Sequence, residues 1–177
     1  WDGKSNINLV INADQVSLLN YNPIDSKLTI VNIPSKTYLK VSEEYGSWKI
    51  GSIYGLGQSE KIPSGNQFLL KAVSLMFALP IDGFIQFEES LKDKDIKQVL
   101  EGLKQNPFSN IGLISDIQTN LTPVELFKLV KGLSSVRFDK IKVIDLDSEG
   151  LLEKSILADN SEVLIDCRDG NLLIDVT

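Results

Sequence analysis

The stretch from Val16 to Tyr54 limits the possible folds of this chain more than any other. It runs Val16-Ser-Leu-Leu-Asn-Tyr-Asn-Pro23, then Ile24-Asp-Ser-Lys27, then Leu28-Thr-Ile-Val-Asn-Ile-Pro34. Two short apolar runs, rich in β-branched residues, flank a turn built from Asn22, Pro23, Asp25 and Ser26, which is the sequence form of a β-hairpin. Leu28, Ile30, Val31 and Ile33 leave the second run apolar at nearly every position, so that strand is expected to be buried on both faces of a sheet. Upstream, Ile7 to Ile11 reads as a first strand, and Asn12-Ala13-Asp14 as a brief polar break.

Downstream, hydrophobic spacing alternates between helix and strand. Ser64-Gly-Asn-Gln67 has the form of a capping box ahead of a helix to about Ala78, apolar over most of its circumference through Phe68, Leu69, Ala72, Val73, Leu75, Met76 and Phe77. Pro80 ends it, and Ile81 to Phe87 reads as an inner strand. A second helix is expected over 92–105, stopped by Asn106-Pro107, and a short apolar segment over Ile111–Ile114. Thr122-Pro123-Val124-Glu125 starts a third helix to about Leu133, which is expected to bury Val124, Leu126, Phe127 and Val130. Lys140 to Leu146 is a further strand. Val163–Ile165 and Leu172–Ile174 read as a hairpin around Asp169-Gly170. Trp48 to Tyr54 carries the alternation of a short strand or a helix start, while Gly55-Leu-Gly57 reads as an ordinary loop and does not complete a dinucleotide fingerprint. The expectation is one α/β (α+β) domain over 1–177, with a mixed central sheet flanked by helices.

Composition removes several chemistries. The chain has 177 residues, one cysteine (Cys167) and no histidine, which excludes an intramolecular disulfide, Cys-His metal sites and histidine triads. Cys167 has Arg168 beside it but no base nearby in sequence, so it is not read as a nucleophile. A net charge of −6 gives no general reason to bind nucleic acid or an anionic membrane. No apolar run approaches the roughly 18 residues of a membrane span. The chain opens at Trp1 without Met, so the expectation is a segment of a longer protein with a membrane anchor upstream. Asn120-Leu-Thr122 has the form of a glycosylation acceptor, but Pro123 follows it.

Five segments in order carry a family likeness: Asn22-Pro23, Ile33-Pro34-Ser35-Lys36-Thr37, Lys49-Ile50-Gly51-Ser52-Ile53-Tyr54, Leu79-Pro80-Ile81-Asp82 and Thr119-Asn120-Leu121. Together they resemble the LytR-CpsA-Psr family of bacterial cell-envelope proteins, whose pattern includes "Ile-Pro-Arg-Asp-Thr", "Lys-Ile-Asn-Ala-Ala-Tyr", "Ile-Pro-Ile-Asp" and "Thr-Asn-Leu". The best-matched core is 7–146, with 147–177 as a C-terminal extension carrying a hairpin.

The resemblance implies a phosphotransferase on the extracytoplasmic face of a bacterial membrane, moving a glycan from a polyprenyl-pyrophosphate carrier onto peptidoglycan. It implies buried helices around a lipid pocket, arginines on the pyrophosphate and aspartates on Mg2+. Guanidinium forks and a divalent cation spread the charge of such a leaving group.

This chain departs from that pattern where the chemistry sits. Ser35 and Lys36 replace the arginine and aspartate, and the only arginines are Arg137 and Arg168, outside the motifs. Asp14 matches one of the two metal-binding aspartates, not both. By resemblance, Lys49, Lys36 and Lys40 are candidates for phosphate, Leu69, Val73, Met76 and Phe77 for a lipid pocket, and Asp14 for Mg2+. The plainer alternatives are solvated lysines, a core helix and a turn aspartate. Asp82 reads as a turn residue rather than a catalytic acid. Three functions follow: a catalytically degenerate envelope module that binds or scaffolds, an active phosphotransferase with relocated charges, or an unrelated soluble α/β binding domain. Partners would be a polyprenyl phosphate or pyrophosphate lipid or a cell-wall glycan, with no nucleic acid.

Overall fold

The computed structural model describes residues 1–42, 45–59, 65–87, 117–157 and 159–166. The expected helix over 92–105, the segment Ile111–Ile114, Ser64, Cys167, Arg168 and the strand Leu172–Ile174 lie outside them. In order come β1 (Ile7–Asn12), β2 (Val16–Asn22), β3 (Lys27–Ile33), β4 (Tyr38–Ser42) and β5 (Gly46–Lys49). Then follow α1 (Ile50–Ser59), α2 (Asn66–Phe77), β6 (Gly83–Phe87), β7 (Ile117–Thr119), α3 (Pro123–Ser135), β8 (Ile141–Asp145), β9 (Leu152–Ile156) and β10 (Glu162–Asp166). The fold is mixed α+β, as expected, around a six-stranded sheet in the order β7-β6-β1-β2-β3-β8. The sheet is mixed because β1 runs antiparallel to β2 and parallel to β6. Two compact units divide the chain: Trp1–Ile30 with Asp82–Val143, and Val31–Ile81 with Ile144–Thr177.

In the first unit the alternation of a strand is visible in what each face buries. Ile7, Leu9 and Ile11 of β1 join Leu19, Tyr21, Leu28 and Ile30 in one core, closed by Leu129 and Leu133 of α3. Val10 and Leu18 point the other way and are also buried, so both faces of these strands are covered. The turn after β2 is made by Asn22, whose Oδ1 accepts the N–H groups of Ile24 (2.9 Å) and Asp25 (3.1 Å).

Asp82 latches β6 to β1: its N–H donates to the Asn8 carbonyl (2.8 Å), and its carboxylate accepts the Asn8 N–H (2.7 Å). The sequence reading made Asp82 a turn residue; its bonds here join two strands. Thr119 and Asn120 bracket Phe84 in the same way, Thr119 Oγ1 donating to its carbonyl (2.6 Å) and Asn120 Oδ1 accepting its N–H (2.9 Å).

α3 starts where expected, with Thr122 and Glu125 forming a complete capping box and Pro123 in the first turn. Its buried face differs from the expectation. Leu126, Leu129 and Leu133 face the core, while Val124 is 64 % and Phe127 55 % exposed. The i, i+3, i+7 leucine row wins because it is continuous to the end of the helix, whereas the Val124–Phe127 row meets charged Lys131 one turn on.

The second unit corrects the glycine reading. Gly55 and Gly57 lie on α1, not in a loop; Ile50, Ile53 and Gly57 form its buried face. Gly57 serves close approach: a Cβ there would stand 2.6 Å from Gly65 Cα. α2 is capped by Gly65 with no side-chain hydrogen bond, in place of the anticipated capping box. The helix is open on one side, with Leu75 50 % exposed, and Ala78 ends it in the left-handed region at φ 51°. β9, which the sequence did not announce, is the antiparallel partner of β10, Val163 lying opposite Ser155.

Candidate anion-binding site

The loop from Pro34 to Thr37 is fastened on two sides. Thr37 N–H donates to Pro34 O (2.9 Å), closing a turn. The Thr37 carbonyl then accepts the N–H of Ile50 (2.8 Å), and the Ser35 carbonyl accepts that of Gly51 (3.2 Å). Two donors in the first turn of α1, the kind of groups that bind phosphate at helix N-termini, are thus engaged by main chain. Gly51 makes the approach possible, since a Cβ there would lie 3.2 Å from Ser35 Cβ and 3.3 Å from Ser35 O. On its other side the loop carries β10: Leu164 N–H donates to Lys36 O (3.0 Å), and Thr37 and Leu164 form a parallel bridge.

Three of the sequence candidates belong to this region. Lys49 ends β5 immediately before α1 and sits opposite Tyr38. Lys40, opposite Ser47, projects from the same face of the β4–β5 ribbon, because directly paired residues share a side and alternate ones return to it. Lys40 and Lys36 are exposed and Lys49 is half-buried.

Two further residues were not singled out from sequence. Thr37 is fully buried (0 % exposed), and its Oγ1 has no hydrogen-bond partner. Such an orphaned hydroxyl costs about 1–3 kcal/mol. Asp159, in the turn between β9 and β10, accepts the Ser161 N–H at 2.9 Å. That bond first, and the positive charge of Lys49 in addition, hold its carboxyl below the usual range. Thr37 was visible only as the last letter of a motif; Asp159 carried no signal because β9 carried none.

The other candidates belong to other elements. Asp14 is an exposed residue of the turn between β1 and β2, in the first unit. Among the described residues no group of three or more Asp, Glu, Cys or His stands together as a metal site. Leu69, Val73, Met76 and Phe77 are all 5 % exposed or less on the inner face of α2. Arg137 is spent on Asp139 at 2.9 Å on the surface. Among the described residues no helix is long and apolar enough to cross a membrane.

No family model matches the chain, and no curated protein matches it in sequence. Solved structures do match in fold. Bacillus subtilis TagT aligns at TM-score 0.65 and 13 % identity over 94 % of this chain and 86 % of that one. Bacillus subtilis TagV aligns at 0.67 and 13 % identity over 92 % and 91 %. Protein gbs0355 from Streptococcus agalactiae aligns at 0.67 and 14 % identity over 94 % and 84 %. A structure of TagT bound to LIIa-WTA aligns at 0.64 and 12 % identity over 93 % and 86 %.

Proposed function

From the premise that this chain has a LytR-CpsA-Psr-like fold, we propose that it is a catalytically degenerate module of the bacterial cell envelope. In this reading it contacts the phosphate end of a polyprenyl-linked glycan without transferring the glycan; TagT bound to LIIa-WTA is among the structures that share its fold. The observation that carries the reading is the contact between Ser35 and Gly51. These two positions match the arginine and asparagine of the family pattern. Here both are small and uncharged, and they close against each other through the Ser35 carbonyl and the Gly51 N–H.

Removing one preorganised donor from a transition-state site costs about 3–4 kcal/mol, and the guanidinium fork supplies more than one. Lysine offers a point charge without the fork's geometry. Binding asks for less than transfer does. Lys49, half-buried beside the first turn of α1, supplies a cation. No step in this reading depends on Mg2+. An extracytoplasmic location and an upstream anchor belong to the same proposal.

The test pairs two measurements. The chain is incubated with a polyprenyl-pyrophosphate-linked glycan, peptidoglycan acceptor and Mg2+, and transfer is followed by acceptor labelling. Binding of the same donor is measured in parallel by thermal shift. Saturable stabilisation without transfer is the expected result. Magnesium-dependent transfer would establish the alternative, an active phosphotransferase. Absence of both would refute the module's contact with the carrier.

A further inference from the structure

α3 has two faces of opposite character. Leu126, Leu129 and Leu133 fill the core, and the positions opposite them at helical spacing are Val124, Phe127, Lys128, Lys131 and Ser135. Val124 is 64 % and Phe127 55 % exposed, and both lysines are exposed. An apolar pair one turn apart, followed along the same face by lysines, is a patterned surface rather than a scattered one. Phe138, in the short turn Phe138–Lys140 after the helix, is 68 % exposed as well.

The charge is patterned too. Residues 123–142 hold five cations (Lys128, Lys131, Arg137, Lys140 and Lys142) and two carboxylates, in a chain whose net charge is −6. Both carboxylates are engaged locally: Glu125 accepts the Thr122 N–H (2.7 Å) in the helix cap, and Asp139 pairs with Arg137 (2.9 Å). Lys128 donates to the Asp2 carbonyl (3.2 Å), which steadies its side chain without neutralising it. At physiological salt, charges further off than about 8 Å are screened, so this local surplus counts for more than the overall sign of the chain.

We propose that the outer face of α3 docks on an anionic lipid surface, with Val124 and Phe127 entering the interface and Lys128 and Lys131 at the level of the headgroups. The occupant follows from the pairing of residue types. Lysine is depleted in protein–protein interfaces. Beside an aromatic ring at a lipid surface, by contrast, its stem lies along apolar matter while its ammonium reaches the phosphates. Every residue used belongs to the first compact unit, so the inference stands apart from the phosphate-contacting reading, whose residues belong to the second.

The experiment sediments the full chain with vesicles of phosphatidylcholine containing phosphatidylglycerol, and with vesicles of phosphatidylcholine alone. It compares the wild type with Phe127→Ala, Lys131→Gln and two controls, each checked for folding by thermal unfolding. Ile24→Ser removes a side chain that is 81 % exposed but stands beside Asp25, and Lys71→Gln removes an exposed lysine of α2. The wild type is expected to bind the anionic vesicles and not the neutral ones. Lys131→Gln is expected to bind them about fivefold more weakly, the worth of one lysine near an anionic surface, and Phe127→Ala about tenfold more weakly. Both controls should bind as the wild type does. No binding of the wild type to anionic vesicles overturns the proposal. So does binding that survives both α3 substitutions, or that a control weakens as much. Soluble polyaspartate that binds as tightly as the vesicles, and is indifferent to Phe127→Ala, would make the face a cationic patch for an acidic protein and overturn it too.

Discussion

Two glycines on one helix, two residues apart, should respond to alanine in opposite directions. At Gly57 the added Cβ would stand 2.6 Å from Gly65 Cα, 3.0 Å from Gly65 O and 3.2 Å from Gly65 C, all backbone atoms. No rotamer relieves such contacts, so the segment at the start of α2 has to move away from α1. Overpacking of this kind costs about 1–3 kcal/mol, and contacts this short with backbone place Gly57→Ala at the upper end. Alanine returns about 1 kcal/mol of helix propensity, leaving a net loss of about 2 kcal/mol. For a chain of this size that is a fall in Tm of about 4–8 °C. At Gly55 nothing lies within 4 Å of the added Cβ. Gly55→Ala then keeps the propensity gain of about 1 kcal/mol and raises Tm by about 2–4 °C. Thermal unfolding followed by circular dichroism, with urea midpoints as a check, reads both. If the two variants shift the same way by similar amounts, the close approach of α1 and Gly65 is refuted, and with it the account of why a glycine pair sits inside a helix.

Other outcomes follow from single residues. Thr37→Val removes a buried, orphaned hydroxyl while keeping shape, so it should leave the protein unchanged or more stable by about 1 kcal/mol, read from urea midpoints. Leu129→Ala should lose about 2–5 kcal/mol by urea unfolding, while Phe127→Ala, on the exposed face of the same helix, should lose under about 1 kcal/mol. Thr122→Ala should cost about 1 kcal/mol through loss of the capping box, again by urea midpoint. Asp2 has its carboxyl lowered to about 2 by the backbone N–H groups of Lys4 and Ser5. A depressed folded-state value contributes stability above the unfolded value near 4, and that contribution is lost as pH falls towards 2. Asp2→Asn should therefore lower stability at pH 7, where the contribution is fully present, and flatten the acid limb of a stability profile between pH 4 and 2, so that variant and wild type converge at low pH.

The parts of this fold that the sequence announced are those fixed by short-range chemistry. Asn22 and Pro23 dictate their turn, Thr122 to Glu125 dictate a helix start, and the dense apolar run from Leu28 to Ile33 has no stable place except between two covered faces. What it did not announce is settled by distant neighbours. Glycines at 55 and 57 weaken a helix in isolation, and only packing against Gly65 turns the second into an asset. The face of α3 was misjudged because Val124 and Phe127 are as apolar as Leu126 and Leu129; which row is buried depends on the sheet beneath. β9, with Glu153, Lys154 and Ser155 at its centre, has no strand pattern and exists by pairing with β10. The site divides along the same line. Lys49 was visible because it matches a motif position, while the burial of Thr37 belongs to tertiary structure.

The latch between Asp82 and Asn8 joins positions 74 residues apart, and each compact unit is assembled from two separated stretches of chain. No single cut of the gene can therefore yield either half as a working piece. A nascent chain released after residue 81 would hold β1 without β6, leaving an unfinished sheet margin prone to sticking to other chains. Any attempt to trim this protein to a minimal fragment has to keep both ends and work inward from the connections.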